Sequence, residues 1–228
     1  MSVLGLIPAR GGSERLPRKN LATLGGKPLL AWTIEAALAC PRIDRVVVTT
    51  DDAEIAAVAR NYGAEVPFMR PPELAGGDVD DLPVFRHALA QLGPPAADVV
   101  VWLRPTAPLR TADDIAAALD VFESSGADVV RSVCLSDHHP YWMKLLDGIW
   151  LKPFAPEHDE SRYPRHQLLP QVYRLNGAVD VVRTSAVERN GSLLSGPAAA
   201  YVMPAERSVD IDTELDLRVA EALLEERA

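Results

Sequence analysis

Two hydrophobic periods alternate along the first two-thirds of the chain. Short β-branched apolar runs at residues 3–7, 45–50, 99–103 and 127–133 have the length and composition of buried strands. Between them, residues 28–39, 53–62, 82–92 and 112–124 carry apolar side chains at helical spacing. The last of these has chemistry at both ends: Thr111 and Asp114 form a capping-box pattern, and Gly126 supplies a left-handed stop. Strand and helix in alternation predict an α/β fold with a mainly parallel sheet sandwiched by helices.

The alternation breaks at about residues 135–170, where five prolines, four histidines and several aromatics follow no clean period. This stretch is expected to leave the sheet. Regular signals return at 172–182 and 199–203, and a helix is expected over 213–227. No internal repeat is visible.

With 228 residues, 48% of them hydrophobic, the chain has enough apolar material for one self-sufficient domain. Cys40 and Cys134 stand far apart in apolar surroundings, so they read as reduced core thiols rather than a disulfide or zinc framework. The apolar start stops at Pro8 without a basic flank, which predicts a cytoplasmic protein with no signal peptide or membrane span. A net charge of −9 argues against nucleic acid or an anionic membrane as partner. Any phosphate must be held by a local basic site.

Such a site follows the first strand. Residues 8–20, Pro-Ala-Arg-Gly-Gly-Ser-Glu-Arg-Leu-Pro-Arg-Lys-Asn, crowd Arg10, Arg15, Arg18 and Lys19 around Gly11 and Gly12, at a strand end where open α/β sheets bind ligands. Fixed cations and a backbone bared by glycine suit a polyphosphate. Gly26-Lys27-Pro28 does not make a Walker loop, and Gly11-Gly12 does not extend to G-x-G-x-x-G, so P-loop hydrolysis and dinucleotide-dependent oxidoreduction are disfavoured.

Near the other end, Asp210-Ile211-Asp212 places two carboxylates on one side of an extended segment. They suit one Mg2+ or Mn2+ that draws further ligands from water and substrate phosphates. Alternatively, Asp212 caps the final helix, with Glu214 and Asp216 in its first turn. His138, His139, His158 and His166 lack the offsets of a zinc site.

These blocks together resemble the acylneuraminate cytidylyltransferases. The likeness runs through Ile7-Pro-Ala-Arg-Gly-Gly-Ser13 with Pro17-Arg-Lys-Asn20, Gly25-Gly-Lys-Pro-Leu-Leu30, Thr49-Thr-Asp-Asp52, Arg70-Pro-Pro-Glu-Leu-Ala75, Pro105-Thr-Ala-Pro-Leu-Arg110, Arg174-Leu-Asn-Gly-Ala178 and Ser208-Val-Asp-Ile-Asp-Thr-Glu-Leu-Asp216. It implies a Rossmann-like nucleotidyltransferase sheet carrying a small inserted dimerisation subdomain, in a homodimer. It also implies transfer of CMP from CTP, as co-substrate, to the anomeric hydroxyl of a sialic-acid-like sugar, with Lys19, Arg10 and Asp212 as the catalytic groups. By the same resemblance, the nucleotide is held by Ala9, Arg10, Gly11, Gly12, Ser13, Lys19, Asn20 and Asp78, with the loop around Leu74–Asp81 lining the cytosine pocket, and the metal by Asp210 and Asp212. Arg104, Thr106, Lys144, Arg165, Arg174 and Asn176 are the expected acceptor contacts, Arg165 and Lys144 reaching across the dimer.

Three departures bear on the acceptor. Ser13-Glu14-Arg15 stands where Ser-Lys-Gly is common, Arg104-Pro105-Thr106 where Gln-Pro-Thr is usual, and the run at 77–81 is altered. A permanently charged guanidinium in place of an amide near the sugar leaves open a sister enzyme for legionaminic, pseudaminic or deaminated nonulosonic acid, a phosphonate, or a neutral sugar with another nucleotide. A catalytically silent nucleotide-binding module is the alternative of another class.

Overall fold

The period of two along the first strand decides how the layers assemble. In the computed structural model, which describes residues 1–94, 97–158 and 161–227, β1 (Val3–Pro8) turns Val3 and Ile7 to one face of the sheet and Leu4 and Leu6 to the other. Val3 and Ile7 meet helices α1 (Leu29–Leu38), α2 (Ala53–Asn61) and α4 (Ala112–Ser125) through Leu30, Ile34, Ile55, Leu119 and Phe122. Leu4 and Leu6 pack with Val84, Phe85 and Ala88 of α3 (Asp81–Leu92) and with Val187 of α5 (Thr184–Asn190), a helix that the sequence pattern did not indicate. Each fully buried Leu, Ile or Phe contributes roughly 1.5–3 kcal/mol, so the two layers are held by bulk burial rather than by any one contact.

Six strands form the main sheet: β1, β4 (Arg45–Thr49), β5 (Val99–Trp102), β6 (Val129–Leu135), β9 (Tyr173–Arg183) and β10 (Ala198–Val202). Their order is β10-β6-β9-β5-β1-β4. β1 is parallel to both β4 and β5, and β10 is parallel to β6. The expected mainly parallel sheet thus has one reversal, because β9 runs antiparallel between β5 and β6. An apolar run reads the same in either direction, so the reversal has no sequence signature. From β1 the chain crosses to β4 on one side, and from β4 it returns to β5 on the other. The carboxyl end of β1 is therefore the switch point where open sheets leave a crevice.

Residues 136–172 leave the sheet as expected; positions 159 and 160 of that stretch lie outside the described residues. The excursion carries an antiparallel hairpin, β7 (Lys144–Asp147) and β8 (Trp150–Pro153). A second small hairpin, β2 (Thr23–Leu24) and β3 (Lys27–Pro28), sits beside the switch point. It packs with α6 (Glu214–Glu225) in a third apolar cluster of Leu24, Leu29, Leu109, Ile211 and Ala220. No helix among the described residues is long and apolar enough to cross a membrane.

Asp114 ties the far edge of the sheet to α4. Its carboxylate, 0% exposed, completes the capping box with Thr111, accepts from Arg207 Nε and Nη2 at 2.9 Å each, and accepts from Tyr201 Oη at 2.8 Å. Burial works against the charge, yet Arg207, the Thr111 backbone and Tyr201 outweigh it and hold the carboxyl below the usual aspartate range. A depressed native pKa gives stability that is present above the unfolded value near ~3.9 and lost as pH falls through the native value. Asp114→Asn is expected to lose about 2–4 kcal/mol at pH 7. Its urea stability should also fall less steeply than wild type below pH ~4. Parallel acid limbs for the two proteins would contradict the assignment.

Candidate active site

Three strand ends and one distant segment build a single cleft of about 430 Å³ at the switch point. The first wall is the loop after β1. Ala9 is buried and its N–H donates to Thr49 O at 3.0 Å, extending the strand pairing by one residue. Gly11 N–H donates to Asp51 Oδ1 at 3.0 Å, and a Cβ at Gly11 would lie 2.8 Å from Asp52 Oδ2. Asp52 is itself fixed, since it caps α2 through Glu54 N and Ile55 N and pairs with Arg18. Glycine at 11 is thus required by an internal carboxylate, whereas the sequence reading had an incoming oxyanion as the reason. Gly12 faces open space.

Arg18 takes a left-handed conformation, φ 56°, which disfavours a side chain by about 1–2 kcal/mol. Its ion pairs with Asp52 and Glu54 help to hold it there. The turn it makes starts a 3-10 turn, Lys19–Leu21, that aims Lys19 into the cleft. Asn20, 5% exposed, clamps the loop across its base by donating to Arg10 O at 2.9 Å.

The second wall depends on Arg70, which comes after α2 and lies against the carboxyl end of β4. Its Nη2 donates to Thr49 O at 2.6 Å and its Nη1 to Leu74 O at 3.5 Å, fastening the 72–80 loop to the end of β4. Burial lowers its pKa, and the charges of Asp51 and Asp81 oppose that fall. The loop passes close over the first wall: a Cβ at Gly77 would lie 2.3 Å from Glu14 Oε1 and 3.2 Å from Arg10 Nη1. After β5, Arg104 and Thr106 form the third wall. Arg104 Nη1 pairs with Asp180 at 2.6 Å and its Nη2 with Asp81 at 2.5 Å. Burial opposes the Arg104 charge, and the two carboxylates more than restore it. Beneath it, Arg110 donates to Thr33 Oγ1 and to Arg104 O, and burial together with Arg104 pushes its pKa down to about 9. It remains a cation at neutral pH, favoured by the charges of Asp114 and Asp210.

The fourth element arrives from the far end of the chain. Ile211, 0% exposed, is buried among Leu24, Leu29 and Leu109, and its N–H donates to Thr106 O at 2.7 Å. The next residue, Asp212, therefore points into the cleft. Its Oδ1 accepts from Lys19 Nζ at 2.7 Å and its Oδ2 from Arg15 Nη1 at 3.1 Å. Thr213, not Asp212, caps α6, in a capping box with Asp216. Of the two sequence alternatives for Asp212, the cap is thereby taken by its neighbour, and its carboxylate is left for the cleft.

Of the expected residues, the cleft gathers Arg10, Ser13, Lys19, Asn20, Arg104, Thr106 and Asp212. Ala9, Gly11 and Gly12 support the loop from outside the lining, and Asp78 is exposed between the lining residues Gly77 and Val79. Asp210 is exposed and outside the lining. Asn176 is 1% exposed and engaged with Ser132, Ala178 and Ser208, while Arg174 Nη2 donates to Ser208 O at 3.0 Å. Both tie β9 to the segment before α6 rather than line the cleft. Lys144 and Arg165 lie on the excursion, outside this chain's own cleft.

Arg70 was missed as a site residue, an arginine before Pro71-Pro72 being the available signal, while Asp81 was expected at the end of the base-pocket loop and not as a partner of Arg104. The lining carries Arg10, Arg15, Lys19, Arg70 and Arg104 against Glu14, Asp81 and Asp212, a cationic excess in a chain of net charge −9. Neither Arg10 nor Arg70 has a carboxylate within ion-pair distance among the described residues; Arg70 is held by backbone carbonyls, whereas the Arg10 charge is open to an anion.

Residues 4–190 match the cytidylyltransferase family model. The CMP-N,N'-diacetyllegionaminic acid synthase of Legionella pneumophila is 35% identical over 99% of this chain and 97% of its own length. The N-acylneuraminate cytidylyltransferase of Escherichia coli is 32% identical over 96% of this chain, which spans about half (51%) of that longer protein. Among solved structures, a CMP:2-keto-3-deoxy-manno-octonic acid synthetase complexed with CTP superposes with a TM-score of 0.73 at 18% identity, covering 100% of both chains, a likeness of fold. A family match that takes in three walls of the cleft, and a relative this similar from end to end, place the chain in the cytidylyltransferase family of nucleotidyltransferases.

Proposed function

We propose that the protein transfers CMP from CTP to the anomeric hydroxyl of a sialic-acid-like 2-keto sugar acid, releasing pyrophosphate. The observation that carries this reading is the meeting of Lys19 with Asp212, at 2.7 Å, inside a cleft rich in arginine. Names of relatives that act on legionaminic and acylneuraminic acids support an acidic nine-carbon acceptor.

In this reading the triphosphate lies along the first wall. Arg10, whose guanidinium has no carboxylate partner among the described residues, and Lys19 hold its oxygens, with Lys19 nearest the α-phosphate. Ser13 and Asn20 line the same wall, and the 74–81 loop, fixed by Arg70, closes over the base. Holding the reactants in line and neutralising charge on the α-phosphate and the departing pyrophosphate supply most of the rate.

The donor set also suits a divalent cation. Asp212 offers a half-exposed carboxylate whose two oxygens already face cations, and no cluster of three or more acidic, histidine or cysteine residues forms a cage among the described residues. That is the chemistry of Mg2+ or Mn2+ held by one or two carboxylates and completed by phosphate oxygens and water. Asp212 would hold it from within the cleft, the expected second carboxylate Asp210 lying outside the lining, and it would neutralise phosphate charge. Arg104 and Thr106 are positioned for the acceptor.

The same reading makes the protein a homodimer built through the excursion. Its hairpin exposes Leu146 at 75%, Ile149 at 86% and Trp150 at 71%, an apolar surface that a monomer would leave in water. Lys144 and Arg165, lying outside their own chain's cleft, would then serve the partner's.

A grid of nucleoside triphosphates against acidic and neutral sugars, read as released pyrophosphate, is expected to peak with CTP and a nonulosonic acid. Release with neutral sugars alone would redirect the assignment, and none with any pair would leave a silent nucleotide-binding module. Asp212→Asn should lower turnover at least ~100-fold. Loss of two partly exposed ion pairs, with Lys19 and Arg15, should change its stability by no more than about 2 kcal/mol; undiminished turnover would contradict the role given to Asp212. For the shared site, co-expressed Arg165→Ala and Lys19→Ala chains should regain about a quarter of wild-type activity, because half of randomly paired dimers carry one intact site. Activity no higher than that of the separate variants would rule out sharing.

A further inference from the structure

Arg104 is a lining cation paired with two carboxylates that differ in their freedom to leave. Asp180, 3% exposed, sits on β9 opposite Trp102 and Arg131, and its second oxygen accepts from Arg131 Nε at 3.1 Å. Removing it from Arg104 would strand a buried charge, so it is a fixed counter-ion. Asp81 meets the other edge of the guanidinium, at 2.5 Å, from the first residue of α3, and its side chain is 42% exposed. A carboxylate there has alternatives. Water reaches it, the helix N-terminus favours an anion, and the N-cap residue Asp80 makes no side-chain cap bond to compete for the first-turn N–H groups. Arg70 also lies within its electrostatic reach.

We propose that Asp81 is an internal competitor that occupies the acceptor-facing edge of Arg104 and is displaced by an acceptor carboxylate. The inference rests on the acidic-acceptor reading and names the residue that sets its selectivity. An anionic acceptor exchanges one carboxylate for another on Nη2, leaving Arg104 neutralised, while Asp81 turns to water and the α3 terminus. A neutral acceptor offers nothing to replace the ion pair, so Asp81 stays and the edge remains closed. Selectivity then arises from the exchange itself, with Asp180 keeping the guanidinium in place throughout. The planar fork of Arg104 suits this exchange because each edge pairs with one carboxylate independently.

The test is steady-state kinetics of wild type, Asp81→Asn, Asp81→Ser and Asp81→Glu with CTP and an acidic 2-keto sugar. Removing the competing charge is expected to lower the acceptor KM about three- to fivefold in both the Asn and Ser proteins, the size of effect of one partly exposed ion pair. The fall should exceed any change in kcat or in the KM for CTP, and Asp81→Glu should return the acceptor KM toward wild type. A loss of packing alone would instead move kcat and both KM values together. Wild-type turnover with an acceptor KM equal or higher in Asp81→Asn and Asp81→Ser overturns this inference alone. No wild-type turnover with any acidic sugar overturns the functional reading and this inference together.

Discussion

The contact between Lys19 and Asp212 closes a loop of 193 residues, and the cleft has no fourth wall without it. Charge alone does not bring these groups together. An exposed lysine–aspartate pair is worth about 0.2–1 kcal/mol, far less than the entropy of ordering two chain segments. Burial brings them together: Ile211 enters the cluster of Leu24, Leu29 and Leu109, its N–H is taken by Thr106 O, and α6 packs behind it. On the opposite side, the Asn20 clamp and the Arg18 turn set the Lys19 side chain. Apolar packing and backbone hydrogen bonds thus position the ions at the cleft.

Electrostatic economy shapes the rest of the cleft. An acidic protein that binds a polyanion must concentrate cations against its own field, and each lining cation is handled differently. Lys19 and Arg15 share Asp212, Arg104 is gripped by Asp81 and Asp180, and Arg70 is satisfied by backbone carbonyls. Among the described residues, no carboxylate lies in ion-pair reach of Arg10. These arrangements keep the positive side chains ordered before a ligand arrives, which lowers the reorganisation needed when it does.

Much of this was readable in the residues, for reasons that differ from element to element. Strands β1, β4, β5 and β6 announce themselves as short apolar runs covered on both faces, and α1 to α4 as stripes that bury one face, with caps that agree at Thr111, Asp114 and Gly126. Arg10, Lys19 and Asp212 stood out as charges in unusual company. The β7–β8 hairpin did not, because Leu145, Leu146, Ile149, Trp150 and Leu151 turn to no core of their own and follow no alternation. Asn176 looked like a ligand contact, and its amide is instead consumed by Ser132, Ala178 and Ser208. Arg70 escaped notice because its partners are carbonyl groups, whose positions only the folded chain determines. Asp81 matters through Arg104, and no local pattern links residues 23 apart.

The central claim is that a cationic loop and a distant carboxylate converge on one metal–triphosphate. Crystals of the protein grown with CTP and Mn2+ test it most directly, through the anomalous signal of manganese. The account predicts a single strong peak within bonding distance of both Asp212 and the triphosphate, with Lys19 moved from the carboxylate to a phosphate oxygen. A manganese peak elsewhere, or CTP bound while the Lys19–Asp212 pair stays intact, would contradict it.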